Sequence, residues 1–214
     1  MLHRLVSGLA VTVVIVGGLA APAAAGGPKD KAQIFDFTTG DPVGAAFSML
    51  ERTDEGVATK IRTRVEPGDA YTAWYVIFNA PENCNTGACG EDDLFNSDGS
   101  FNVEQIEAAR IAVVWGTGGV ANPGGRLNVE GGLAEGEIRD GSNQIVIGRG
   151  EDGALAPVGV VSGLEDAWAA EVHIVLQSHG PAHEDPDMLR MQTTSFEGAC
   201  NPECSDTQFA VHLP

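Results

Sequence analysis

The segment 57–65 (VATKIRTRV) places β-branched residues at every odd position and, from Lys60 onward, a cation at every even position. Successive side chains of a β-strand point to opposite faces of the sheet, so this alternation predicts a strand with one buried and one wet face. The segment 46–52 (AFSMLER) precedes it, and the Thr-Asp-Glu-Gly sequence at 53–56 between them predicts a β-hairpin. The chain therefore has to fold around an antiparallel sheet.

The segment 70–78 (AYTAWYVIF) has no polar face and predicts a central strand that is covered on both sides. Further strands are predicted at 111–115, 126–131, 144–147, 170–177, 191–196 and 208–213. One short helix is predicted at 102–110 (NVEQIEAAR). Many short strands between glycine-rich turns indicate an all-β fold, an antiparallel β-sandwich or jelly roll with one short helix and two disulfides.

The first 25 residues have the parts of a secretory signal. A basic start is followed by an apolar run at 5–20 and by small residues before an expected cleavage after Ala25. The run is too short and too rich in glycine for a comfortable membrane span. We expect a secreted or periplasmic protein without an integral membrane span after cleavage, organised as a signal peptide at 1–25, a flexible leader at 26–32 and a single domain at 33–214.

Four cysteines in an exported chain predict two disulfides. They stand at Cys84, Cys89, Cys200 and Cys204. Three pairings are possible, and we expect the two local bridges because they are the simplest. The competing interpretation is a zinc site, although structural zinc favours the C-x2-C spacing and a reducing compartment.

The net charge of the chain is −18, from 12 lysines and arginines against 30 aspartates and glutamates. A field of this sign repels nucleic acid and anionic lipid, so we expect neither as a partner. It suits divalent cations or cationic partners. The alternative is that the negative charge only keeps the protein soluble.

Three histidines near the C-terminus are candidate metal ligands. His173, His179 and His212 fall on the polar sides of two predicted strands, where neighbouring strands would bring them onto one surface. Imidazoles that converge in this way suit zinc or copper, and Gln177, His183 or Glu184 would complete the set. The alternative is that each histidine is an ordinary hydrogen-bonded residue of a half-buried sheet.

The acidic loop at 91–105 resembles part of a calcium-binding loop of the EF-hand or dockerin type. The candidate oxygen ligands are Asp93, Asn96, Asp98 and Asn102. However, Leu94 stands where the first carboxylate belongs, and Gln105 stands where a bidentate acid belongs. The alternative is therefore a solvated turn.

The sequence shows no pairing of a nucleophile with a base. The G-x-S-x-G motif of serine hydrolases is absent, and Ser178 and His179, being adjacent, would point to opposite faces of a strand. The segment 116–121 matches a dinucleotide fingerprint, but Asn-Pro-Gly-Gly at 122–125 prevents the helix that has to follow. We therefore expect an exported, non-catalytic binding or envelope-associated module. The alternative is a zinc- or copper-binding exported protein, or a metal-dependent enzyme, that uses the C-terminal histidines.

Several phrases of the sequence are similar to an exported bacterial family of unknown function. They are AYTAWYVIFNAPENC with the CG that follows, AEVHIVLQSHGPA, and the closing DTQFAVH. The resemblance implies an exported, β-rich single domain and no particular activity. The stretches at 179–182 (HGPA) and 121–125 (ANPGG) also resemble CHRD-type exported domains, in a different order along the chain.

Overall fold

The structure is a computed structural model that describes residues 28–85, 89–137, 144–145, 148–149, 155–156, 163–196 and 198–214. The predicted signal peptide and the first residues of the predicted leader lie outside the described residues, as do residues 146–147 of one predicted strand.

The described residues form eleven strands, three short α-helices and one 3-10 turn at Pro81–Asn83. The helices are α1 (Glu91–Leu94), α2 (Val103–Ala108) and α3 (Pro186–Thr194). The strands are β1 (Lys29–Asp36), β2 (Pro42–Thr53), β3 (Gly56–Arg64), β4 (Asp69–Phe78), β5 (Ile111–Val120), β6 (Arg126–Ala134), β7 (Gln144–Ile145), β8 (Gly148–Arg149), β9 (Leu155–Ala156), β10 (Glu171–Pro181) and β11 (Ser205–His212).

Nine strands pair antiparallel in one sheet of order β6-β3-β2-β1-β11-β10-β4-β5-β7, while β8 and β9 pair separately. The sheet curls until β5 approaches β6, where the Thr117 hydroxyl donates a hydrogen bond of 2.8 Å to the Glu130 carbonyl. Gly116 and Gly131 face each other at this approach, and a Cβ on either residue would collide with the Tyr75 ring or the opposite backbone. The absence of side chains at these two positions lets the barrel close almost completely.

The barrel interior is the main core. It buries alternate residues of every long strand, including Ile34, Leu50, Ile61, Tyr75, Leu127, Ile174 and Leu176. The predicted hairpin is confirmed: β2 and β3 pair around Asp54 and Glu55, and the odd-numbered face of β3 is buried while Arg62 and Arg64 are exposed.

The outward side of β4, β5 and β10 carries a second apolar layer, here called the covered face. Trp74, Val76, Phe78 and Val113 lie on it beneath Ile106 of α2 and the Cys84–Cys89 loop. The Phe196 ring packs edge-on against Trp74 at 5.4 Å between centroids. The prediction that 70–78 is covered on both sides is therefore confirmed, because the interior and the covered face each bury half of β4.

The all-β antiparallel class and both local disulfides are confirmed, but some elements differ from the prediction. The strand predicted at 191–196 is wrong: these residues lie in and just after α3, which Asp185 caps by accepting hydrogen bonds from the N–H groups of Asp187 and Met188. Lys29 to Ala32, assigned to the leader, pair with β2 as part of β1. Three short helices are present among the described residues where one was predicted.

No described helix has the length and apolar character that a membrane crossing requires.

Candidate functional site

Among the residues that the structure describes, no second layer lies over the outward side of β1, β2, β3 and β6, which is here called the open face. Six of the twelve lysines and arginines of the chain lie on it: Lys29, Lys31, Lys60, Arg62, Arg64 and Arg126. The net charge of −18 thus hides a local concentration of cations.

A groove of about 360 Å³ opens at one end of this face. Its lining consists of residues 43–47, residues 62–64, Arg126 and Asn128, and we call it the arginine groove. One wall arises from an irregularity in the pairing of β1 with β2. Gln33 and Phe35 are two residues apart on β1, whereas their partners Phe47 and Pro42 are five residues apart on β2. The extra residues of β2 form part of the groove lining beside the cations.

Arg64 and Arg126 stand directly opposite each other on β3 and β6, and Arg62 stands opposite Asn128. Like charges in directly opposed positions of a sheet destabilise it by a few tenths to about 1 kcal/mol. Within the described residues, no carboxylate lies within 4.0 Å of these arginines, whereas Lys29 and Lys60 pair with Glu51 and Glu130. The Phe47 ring lies 4.4 Å from the Lys31 Nζ and 5.9 Å from the Arg62 guanidinium.

A second arrangement of polar groups reaches into the barrel, where the buried Ser48 and His212 form a hydrogen-bonded relay with Asp30, whose side chain is 47% exposed. The His212 Nδ1 lies 2.6 Å from a carboxylate oxygen of Asp30, and its Nε2 lies 3.0 Å from the Ser48 hydroxyl. Because the carboxylate accepts, Nδ1 carries the proton and the hydroxyl donates to Nε2. Burial lowers the pKa of His212, against the opposing effect of Asp30.

This relay has the connectivity of a serine hydrolase triad but not its accessibility. Ser48 and His212 are both 0% exposed, so a substrate has no access to the hydroxyl in this structure. Beside it, the buried guanidinium of Arg52 donates to the carbonyls of Ala170 at 2.9 Å and Leu213 at 2.8 Å. The relay and Arg52 together satisfy polar groups that join β1, β2 and β11, which is a structural role.

The three predicted histidine ligands do not form one site. β10 and β11 are neighbours, as expected, but His212 lies opposite Val172 and points into the barrel. His173 lies on the covered face, where its ring is 4.9 Å from Phe78 and its Nε2 is 2.6 Å from a Glu171 oxygen. The expectation that His212 shares an outer surface with the other two is wrong, because Phe209 and Val211 occupy the outward side of β11 instead.

His179 lies at the far end of β10 and is also fully buried. Its Nδ1 is 2.9 Å from the Gly198 carbonyl and 3.2 Å from the Cys204 sulfur, and its Nε2 is 3.0 Å from the Thr72 hydroxyl. Burial lowers the pKa of His179, and the hydrogen bond to Gly198 opposes this shift.

Among the described residues, two groups of candidate metal-ligand atoms converge within 4.8 Å, and both contain a disulfide. One joins His179 to Cys200 and Cys204, and the other joins Asp93 to Cys84 and Cys89. Both bridges are formed, with S–S distances of 1.96 Å and 2.10 Å respectively, so the sulfurs are bonded to each other. Zinc or copper binding by the histidines stays a prediction that this geometry does not favour.

The predicted calcium ligands have other hydrogen-bonding roles. Asp93 is buried, and its two oxygens accept from the N–H groups of Asn85 and Gly90. Asp98 accepts from Ser100 within the turn, and Asn102 caps α2 by accepting from the Gln105 N–H. Asn96 donates to the Phe101 carbonyl and the Ser100 hydroxyl. Calcium binding at this loop stays a prediction.

The arginine groove was not predicted from the sequence, although part of its signal was visible. The alternation of Lys60, Arg62 and Arg64 predicted a wet face, and three cations on one face of one strand form a local charge pattern. Arg126 could not be added, because its place beside Arg64 depends on the pairing of β3 with β6.

Comparisons of the chain with models of protein families, with curated proteins and with solved structures found no match.

Proposed function

We propose that this protein is an exported, non-catalytic binding module that holds an anionic ligand in the arginine groove. The ligand carries a carboxylate, phosphate or sulfate group. The observation that carries the proposal is the opposed pair Arg64 and Arg126 beside Arg62 in an otherwise acidic chain. Among the described residues, no carboxylate lies within 4.0 Å of Arg64 or Arg126.

The opposed arginines repel each other in the sheet, and a bound anion would relieve this repulsion. The planar guanidinium group offers several donors in a fixed geometry that matches carboxylate and phosphate oxygens. The Asn128 amide adjoins the arginines and supplies a neutral donor or acceptor. The groove volume lies in the range of small-ligand sites.

The charge of the rest of the protein does not prevent this binding. At physiological ionic strength the Debye length is about 8 Å, so the local cations determine the potential inside the groove. The same acidity disfavours a long polyanion, which would extend beyond the groove over acidic surface. A small anionic molecule, or the terminal acidic group of a larger one, is the class that fits best.

Export is part of the proposal and rests on the predicted signal peptide together with the two disulfides. The mass of the native protein tests it. We expect cleavage after Ala25, so that the native chain starts at Gly26. We also expect that none of its four cysteines carries a free thiol. Retention of residues 1–25 in the native protein would contradict export by this signal.

Calorimetric titration with phosphate, sulfate and citrate, each at fixed ionic strength, tests ligand binding. We expect saturable binding of at least one anion. The double variant Arg64→Gln/Arg126→Gln should weaken it by about tenfold or more, since each guanidinium supplies a charge-assisted hydrogen bond.

The matched control is Arg110→Gln/Arg190→Gln, which removes the same charge from two exposed positions outside the groove. It should leave the affinity nearly unchanged. Equal losses in the two double variants would show that net charge governs the binding, and a lack of saturable binding by wild type would contradict the proposal.

A further inference from the structure

The two disulfides occupy different environments. Cys84 and Cys89 are 7% and 8% exposed and belong to the apolar layer of the covered face. Cys200 and Cys204 are partly exposed, in the loop between α3 and β11. A thiol from solution therefore has access to the second bridge and little access to the first.

The second bridge also has a hydrogen-bond donor beside one of its sulfurs. Because a carbonyl can only accept, the contact of the His179 Nδ1 with the Gly198 oxygen requires a proton on Nδ1. The same N–H group faces the Cys204 sulfur at 3.2 Å. On the other side of the ring, Nε2 accepts from the Thr72 hydroxyl, which itself accepts from the Trp74 indole at 2.8 Å. This chain of contacts fixes the ring beside Cys204.

The loop has contacts that do not depend on the bridge. The Asn201 N–H donates to the His179 carbonyl at 2.8 Å, and the Asn201 carbonyl lies over Gly180, where a Cβ would be 1.8 Å from it. β11 begins at Ser205, directly after Cys204, and is paired on both sides. Opening the bridge therefore leaves both cysteines close to their present places.

We propose that Cys200–Cys204 is an exchange-active disulfide, with Cys204 as the leaving sulfur and His179 as its positioning donor. The thiolate of an external dithiol attacks the Cys200 sulfur and forms a mixed disulfide. The Cys200–Cys204 bond breaks, and Cys204 leaves as a thiolate that accepts a hydrogen bond from the His179 Nδ1–H. The second thiol of the reductant loses its proton and attacks the reductant's other sulfur, which is bonded to Cys200 in the mixed disulfide. Cys200 is then released and the reductant becomes a disulfide. A stabilised leaving thiolate accelerates the first step.

This inference does not depend on the arginine groove and is tested separately. Native oxidised protein is treated with graded dithiothreitol without denaturant, alkylated, and mapped by mass spectrometry. We expect Cys200 and Cys204 to be labelled while Cys84 and Cys89 remain protected in the same molecules. Labelling of both pairs at the same rate would overturn the proposal.

The direction of attack is tested with glutathione, a monothiol whose mixed disulfide persists long enough to be mapped after acid quenching. The adduct should lie on Cys200, and an adduct mainly on Cys204 would overturn the assignment of the leaving sulfur. His179→Asn should slow the reduction of the second bridge by about tenfold. His183→Asn, at a partly exposed histidine of the same region, is the matched control.

A folded His179→Asn protein with an unchanged reduction rate would also overturn the role of His179. If circular dichroism shows that this variant does not fold, the two measurements on wild-type protein decide the proposal.

Discussion

The outer surface of the barrel has two halves that differ in what lies over them. On the covered face, the outward residues of β4 and β5 are mainly apolar and lie beneath α2 and the first disulfide, while β10 adds Val175 between the polar side chains of His173 and Gln177. On the open face, the outward residues of β3 alternate with its buried residues and are cations. β4, which has a layer on both sides, is continuously apolar, and β3 alternates, but β10 also alternates although it belongs to the covered face. A continuously apolar strand thus indicates a second layer, whereas an alternating strand does not exclude one.

The two halves should differ most in the cost of removing an outward side chain. Trp74→Ala should lower the free energy of unfolding by about 3–5 kcal/mol, because it empties a large buried site and removes the indole hydrogen bond to Thr72. Lys60→Ala on the open face should lie within about 0.5 kcal/mol of wild type, since its partner Glu130 is exposed. Urea denaturation measures both, and similar losses would contradict the division into two faces.

The two disulfides should show the next largest difference. Their loops are of similar length, with sequence separations of 5 and 4, so closing them restricts the unfolded chain to a similar extent. Replacing Cys84 and Cys89 by serine also buries two hydroxyl groups in an apolar layer, at about 1–3 kcal/mol for each unsatisfied group. The Cys84→Ser/Cys89→Ser variant should therefore be less stable than Cys200→Ser/Cys204→Ser, by thermal or chemical unfolding. The reverse order would mean that the first bridge does not belong to the core.

The third comparison concerns how the stability of the fold depends on pH. Burial lowers the pKa of His212 in the interior and of His179 behind the covered face. The unfolded chain therefore binds more protons than the folded protein just below pH 6.5, and stability should fall as the pH drops below about 6.5, with a slope of at most about 1.4 kcal/mol per pH unit for each histidine. The fall stops once the pH is below the folded pKa values.

Other groups also titrate in this range, so the difference between wild type and variant is the informative quantity. His212→Asn should have a shallower slope than wild type between pH 7 and pH 5 in urea denaturation series. An unchanged slope in His212→Asn would contradict the burial of a neutral imidazole.

The smallest expected change in stability concerns the open face, where removing a side chain should stabilise the protein. Arg126→Gln should raise the stability of the ligand-free protein by a few tenths to about 1 kcal/mol, because it removes the repulsion with Arg64. The same variant should lose the extra stability that phosphate, sulfate or citrate gives to wild type. Thermal unfolding with and without each anion measures both effects. A loss of stability without anion would indicate a structural role for Arg126.

Part of the molecule follows from local sequence alone. The alternation at 57–65, the apolar segment 70–78 and the hairpin turn between β2 and β3 predicted the elements that the structure contains. Four cysteines in two close pairs favoured local bridges, and both formed. These features depend on neighbours within a few residues, where periodicity and turn chemistry are informative.

The start of α3 has a local signal in the sequence. Asp185 followed by Pro186 is a helix N-cap followed by a proline in the first turn, and it marks the start of α3. The residues at 191–196 by themselves favour a strand, because this start signal lies upstream of them.

Other features were decided only by tertiary structure. An apolar face is expected to point inward, yet β11 turns Gln208, Ala210 and His212 into the barrel. Gln208 is satisfied there by Thr63 and the Arg64 carbonyl, and His212 by Asp30 and Ser48. On the outside, Phe209 stacks on Phe35 at 5.6 Å. The outward apolar residues of β11 are thus half-buried, and Phe209 is in contact with an aromatic residue of β1.

The candidate sites belong to this second class. Arg64 and Arg126 are far apart in sequence and become opposed through the register of β3 and β6. The His179–Cys204 contact needs both the end of β10 and the loop before β11. By itself, the sequence indicated most of the strands and favoured the local cysteine pairs, because these features depend on short-range periodicity and spacing. Strand order and register decided which charged and reactive side chains meet, because a shift of one residue moves a side chain to the opposite face of the sheet.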